Sequence, residues 1–76
     1  MNWEIEVMAF KQTNNPSIPN LEHRAVFHSI NPALTLAKKW AKQYWRIEVA
    51  EILSDEYGFI EQDELVACWE NGVKTL

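Results

Sequence analysis

The side-chain oxygens of this chain are densest in residues 53–64, which read Leu-Ser-Asp-Glu-Tyr-Gly-Phe-Ile-Glu-Gln-Asp-Glu. A calcium-binding loop of this length needs oxygen ligands at alternate positions, a turn glycine at its centre and a closing Glu. Gly58, Ile60 and Glu64 stand where such a loop has its turn glycine, its apolar residue and its last ligand. The first and fifth positions are Leu53 and Tyr57, which carry no carboxylate. Ahead of the segment, Ile47-Glu48-Val49 alternates like a strand rather than an entering helix. The segment is expected to be an acidic turn between strands, without metal.

The other reactive side chains are sparse. His23 and His28 are five residues apart on a predicted strand, hence on opposite faces and unable to share a metal. Cys68 is the only cysteine, which excludes an internal disulfide and a thiolate zinc cluster. It lies in an apolar stretch, where a thiol is a packed and inert side chain. Ser17, Ser29 and Ser54 lack the glycine-flanked elbow of a hydrolase nucleophile. Gly58 and Gly72 are the only glycines, so a glycine-rich phosphate loop is absent too. These patterns predict neither an enzyme nor a cofactor.

Charge is distributed unevenly. The formal net charge is −4. Residues 1–46 hold three acids and six bases, whereas residues 47–73 hold eight acids and no base. Lys38, Lys39, Lys42 and Arg46 fall on one side of a predicted helix and form a candidate basic contact face. No aromatic is interleaved with them and the chain is acidic, so direct binding to nucleic acid is not expected.

The elements that would carry these residues follow from periodicity. Trp3, Ile5, Val7 and Ala9 alternate with Glu4, Glu6 and Met8, which predicts a half-buried strand with the first set inward. Residues 12–20 contain Pro16, Pro19 and three asparagines and predict a long loop, a candidate binding segment. A second strand is expected over 21–30. Asn31 and Pro32 mark a helix start. The helix is expected to run to Tyr44 or Trp45, with Ala33, Ala37, Trp40, Ala41 and Tyr44 on its apolar face. A third strand follows over 46–53, with a bulge or strand end where Glu51 would point inward. A turn over 54–58 precedes a fourth strand containing Leu65, Ala67 and Trp69. A helix over 63–71 is the alternative there. Asn71-Gly72 predicts a tight hairpin into a short fifth strand over 73–76.

Together these elements predict one α+β domain over 1–76: a single antiparallel sheet, β-β-α-β-β-β in order 2-1-3-4-5, with one helix on one face. In that arrangement Glu4, Glu6 and Glu48 would meet on the uncovered sheet face. The helix would present its bases on the opposite side. The chain begins Met-Asn-Trp-Glu, with no basic or apolar leader pattern, and has no long apolar run. A cytoplasmic protein without a membrane partner is expected. Four tryptophans, three phenylalanines and two tyrosines supply large apolar surfaces for so short a chain.

The alanine-rich helix (Ala33, Ala37, Ala41) running into Arg46-Ile47-Glu48, followed by Leu65-Val66-Ala67-Cys68-Trp69-Glu70-Asn71-Gly72, resembles small phage and mobile-element proteins, some anti-CRISPR inhibitors of type I systems among them. The resemblance implies a non-enzymatic inhibitor in the host cytoplasm. It would dock on a host protein or ribonucleoprotein complex and block a nucleic-acid groove or a subunit contact. The alternative is a small accessory subunit that self-associates, as a homodimer through an edge strand or exposed Trp, or joins a larger assembly. Candidate contact residues are Lys38, Lys39, Lys42 and Arg46 on the helix side, or Glu4, Glu6 and Glu48 on the sheet.

Overall fold

The N-terminal alternation forms a strand, β1 (Asn2–Lys11), in a computed structural model that describes residues 2–15 and 20–76. β2 (Asn20–Phe27), α1 (Ile30–Trp40), β3 (Arg46–Ser54), β4 (Ile60–Glu70) and β5 (Val73–Lys74) follow. The five strands make one sheet in the order β2-β1-β3-β4-β5, with each neighbouring pair antiparallel. This is the expected α+β class and the expected strand order. β2 and β3 are parallel with β1 between them, so they need a crossover, and α1 supplies it.

The core lies between α1 and one face of the sheet. Ile5, Val7 and Ala9 of β1, Ile47 and Val49 of β3, and Ala67 and Trp69 of β4 pack beneath Ala33, Ala37 and Ala41. The three alanines are four residues apart and make a narrow smooth stripe along the helix. Small side chains let the helix backbone lie close to the sheet, so the bulk of the core comes from the strands. Phe27, Leu34, Trp40 and Tyr44 close its sides.

Several boundaries differ from the sequence reading. α1 starts at Ile30, with Ser29 at its N-cap rather than Asn31. Pro32 then falls third in the helix, where a backbone N–H has no partner to lose. The helix stops at Trp40, and residues up to Tyr44 continue as turns held by the Trp40 carbonyl. β2 ends at Phe27, before His28. The irregularity expected at Glu51 belongs to β4: Val49 faces Ala67 but Ala50 faces Leu65, so Val66 is the additional residue. β3 keeps its phase, and Glu51 lies opposite Ile5. In the segment 63–71, residues up to Glu70 are strand, not helix, and the preceding turn occupies 55–59. Trp3, expected inward, is 38% exposed. Asn71 (φ 53°) and Gly72 (φ 80°) make the anticipated tight turn. Thr75 and Leu76 extend β5 by bonding to the Cys68 backbone. Residues 16–19 of the expected binding loop lie outside the described residues.

The alanine stripe yields a direct test. Ala37→Leu should overpack the helix–sheet contact and cost about 1–3 kcal/mol. Thr35→Leu on the exposed side should stay within about 0.5 kcal/mol. The urea unfolding midpoints of the two variants give the comparison.

Candidate functional site: an acidic arm and a lysine end

β3 and β4 outrun the helix that covers them. Eleven helical residues advance roughly 16 Å, while the nine residues of β3 advance about 30 Å. The C-terminal end of α1 sits over one end of the sheet. There His23, opposite Ala9, has its ring 5.7 Å from Trp40 and 5.2 Å from Tyr44. The far end of the β3–β4 hairpin lies past the helix and forms an arm, flanked by β1 as far as the Asn2–Ser54 pair, and its turn extends beyond that last pair. Tyr57, Phe59 and Ile60 at that tip are 78%, 72% and 62% exposed.

The turn that presents them is well bonded. Asp55 Oδ1 accepts hydrogen bonds from the backbone N–H groups of Tyr57 and Phe59, each at 2.9 Å. The Asp55 N–H donates to the Phe59 carbonyl at 2.9 Å, and Gly58 donates to the Asp55 carbonyl at 3.1 Å. Gly58 adopts φ 87°, which glycine takes without a Cβ penalty. The Asp55 carboxylate is therefore committed to shaping the turn. The exposure of the aromatics is a consequence of a defined loop, not of a frayed end.

The arm is also electrically uncompensated. Glu51 and Glu64 are directly opposite each other across β3 and β4, an arrangement that destabilises a sheet. The ion pairs among the described residues are Arg24–Glu6, Arg46–Glu48 and Arg46–Glu70. None of them reaches Glu51, Asp55, Glu56, Glu61, Asp63 or Glu64.

The expected contact residues are rearranged by the fold. Arg46 is not on the helix. It opens β3 on the uncovered sheet face, where Nε donates to Glu48 at 2.8 Å and Nη1 lies 3.7 Å from Glu70. The Glu48 bond raises its pKa further. Glu6 is 8% exposed and is held by Arg24 Nε at 2.7 Å, and that hydrogen bond likewise raises the Arg24 pKa. Two of the three carboxylates expected to make this face acidic are thus neutralised, and Glu4 lies toward the arm, opposite Ile52. Lys38 and Lys39 occupy the last turn of α1 and Lys42 follows it, all exposed. Lys11 ends β1, and Lys74 lies 5.8 Å from the Trp69 ring centre. The strand register places Lys11 and Lys74 at the end remote from the arm tip, and Lys38, Lys39 and Lys42 precede β3 where it starts at that same end.

The charge separation therefore runs along the 38 Å length of the molecule and not between its two faces. Among the described residues, no three His, Cys, Asp or Glu side chains converge as a metal site would, and there is no enclosed pocket. His28 Nδ1 lies 3.2 Å from the Trp3 carbonyl oxygen, and Cys68 is buried. No described helix is long and apolar enough to cross a membrane. Comparisons with protein-family models, with curated proteins and with solved structures found no match.

Tyr57, Phe59 and Ile60 are the residues that the sequence reading passed over. Their signal was available: three large apolar side chains inside a turn whose neighbours are carboxylates. The turn's dependence on Asp55 can be measured. Asp55→Ala should cost about 1–2 kcal/mol and broaden the amide resonances of Tyr57 and Phe59. Asp55→Asn retains an acceptor oxygen and should preserve most of the turn.

Proposed function

We propose that the protein is a non-enzymatic binding module whose β3–β4 arm docks on a basic surface of another protein or ribonucleoprotein complex. The observation that carries this reading is the arm tip, where exposed Tyr57, Phe59 and Ile60 are surrounded by carboxylates with no cation of their own. Exposed aromatics of this kind anchor interfaces by filling pockets. A field of one sign steers encounter with the opposite sign and discriminates against wrong partners. A surface that binds nucleic acid has this positive character. Occupation of such a groove by the arm is how a phage-type inhibitor of a host defence complex would act.

The like-charge pair supports the same reading. Glu51 facing Glu64 costs the free protein stability, and a cationic partner would relieve that repulsion on binding. Stability given up at a contact surface is a recurrent feature of functional sites.

Two measurements on a purified type I surveillance complex test the proposal. Tyr57→Ser with Phe59→Ser should weaken binding tenfold or more, a loss of about 1.4 kcal/mol or greater. Reversing Lys38, Lys39 and Lys42 to Glu should leave binding within about twofold. The opposite ranking would place the contact on the helix end and sink the arm as the docking element. Separately, Glu51→Gln with Glu64→Gln should raise the urea midpoint, a gain of about 0.5 kcal/mol, while lowering affinity for the complex.

A further inference from the structure

We infer that copies of this protein associate head to tail, with the arm tip of one seated on the lysine end of the next. The inference rests on the arm tip being a contact surface and adds its second occupant, another copy of the same chain.

The chain carries both halves of the required complementarity. One end presents Tyr57, Phe59 and Ile60 among unpaired carboxylates. The other presents Lys38 and Lys39 in the last turn of α1 and Lys42 just beyond it. No ion pair among the described residues engages these three ammonium groups. That end also has apolar surface to receive the tip. Leu21, Val73 and Leu76 are 48%, 63% and 54% exposed. Beside them the His23 ring packs against the half-buried Trp40 and Tyr44, which offer faces and edges for further aromatic contact.

Distance keeps the two ends independent. The molecule is 38 Å long, and the Debye length near physiological salt is about 8 Å. An approaching copy therefore meets the local sign of each end, not the net charge of −4. The two ends differ in shape and in sign, so the contact is heterologous. Such a contact repeats in an open row instead of closing into a two-fold dimer. Self-stacking and partner docking would compete for the same tip.

Sedimentation equilibrium of the protein alone tests this. At about 0.5 mM protein and low salt of about 0.1 M, where the Debye length is about 10 Å, the weight-average mass should exceed twice the monomer mass and keep rising with concentration. It should fall twofold or more at about 0.5 M salt, where screening reaches within roughly 4 Å. Two variants make the test directional, with folding of each checked by urea midpoint. Tyr57→Ser with Phe59→Ser disables the tip, and Lys38→Glu with Lys39→Glu and Lys42→Glu disables the lysine end. Each should be monomeric alone, because each keeps one working end. An equimolar mixture should form a 1:1 dimer and nothing larger. A wild-type protein that stays monomeric at low salt overturns the inference, and so does a lysine-end variant that still dimerises by itself, which would mean tip-to-tip contact. Neither result bears on docking to a surveillance complex, whose tip dependence is read in its own binding assay.

Discussion

A helix covers less length per residue than the strands beneath it, and this mismatch organises the molecule. An α-helical residue advances 1.5 Å and a strand residue about 3.3 Å. Among the described residues one eleven-residue helix forms the second layer, so the far end of the long β3–β4 hairpin is left uncovered. The covered half holds Val7, Ala9, Ile47, Val49 and Ala67, all nearly inaccessible to water. The uncovered half carries the exposed aromatics and the unpaired acids. Buried core and exposed apolar surface are thereby divided between the two ends of the sheet.

The arginines fix where the charge can act. Arg24 bridges from β2 to Glu6 of β1, and Arg46 bridges Glu48 and Glu70 on β3 and β4. The half-exposed Arg46 pairs contribute modestly to stability, about 0–1 kcal/mol each, while Arg24 supplies the partner that the buried Glu6 carboxylate needs. Their larger effect is on the field. They offset two of the three carboxylates they touch on the open sheet face and leave most of the net negative charge to the arm. The lysines, all outside these pairs, leave the positive charge at the other end.

Much of the fold was legible because period-2 alternation is a strong signal where one strand face is buried. Ile5, Val7 and Ala9 declare β1 directly, and Asn71-Gly72 declares the last turn through backbone conformations that few residues tolerate. The strand order followed from the crossover helix once β1 was placed between β2 and β3. The helix end was less legible, because Trp40 and Tyr44 keep helical spacing while the chain has already left the helix at Ala41. Arg46 belongs to the strand expected over 46–53 and not to the basic side of the helix with which it was also grouped, and this changes the electrostatics of the sheet face. Arg46 and Glu48 are two apart on that strand and so share a face, which makes their pairing available once Arg46 is taken off the helix. The Val66 bulge left no mark, since Leu65, Val66 and Ala67 are all apolar and either phase satisfies the pattern.

The placement of charge has a kinetic consequence. A molecule with carboxylates at one end and lysines at the other is aligned by the field of a charged surface before contact. Near a basic groove the arm turns toward the surface and the lysine end turns away. Steering of this kind raises association rates and fades as salt screens it. In the proposed docking the aromatics at the tip would then meet the surface first, and their burial would determine how long the complex lasts. The rigid turn built by Asp55 matters at that step, since side chains already held in position lose less freedom on binding than those on a loose loop. In the proposed docking, fast encounter and slow release would reside in two different sets of residues on the same arm.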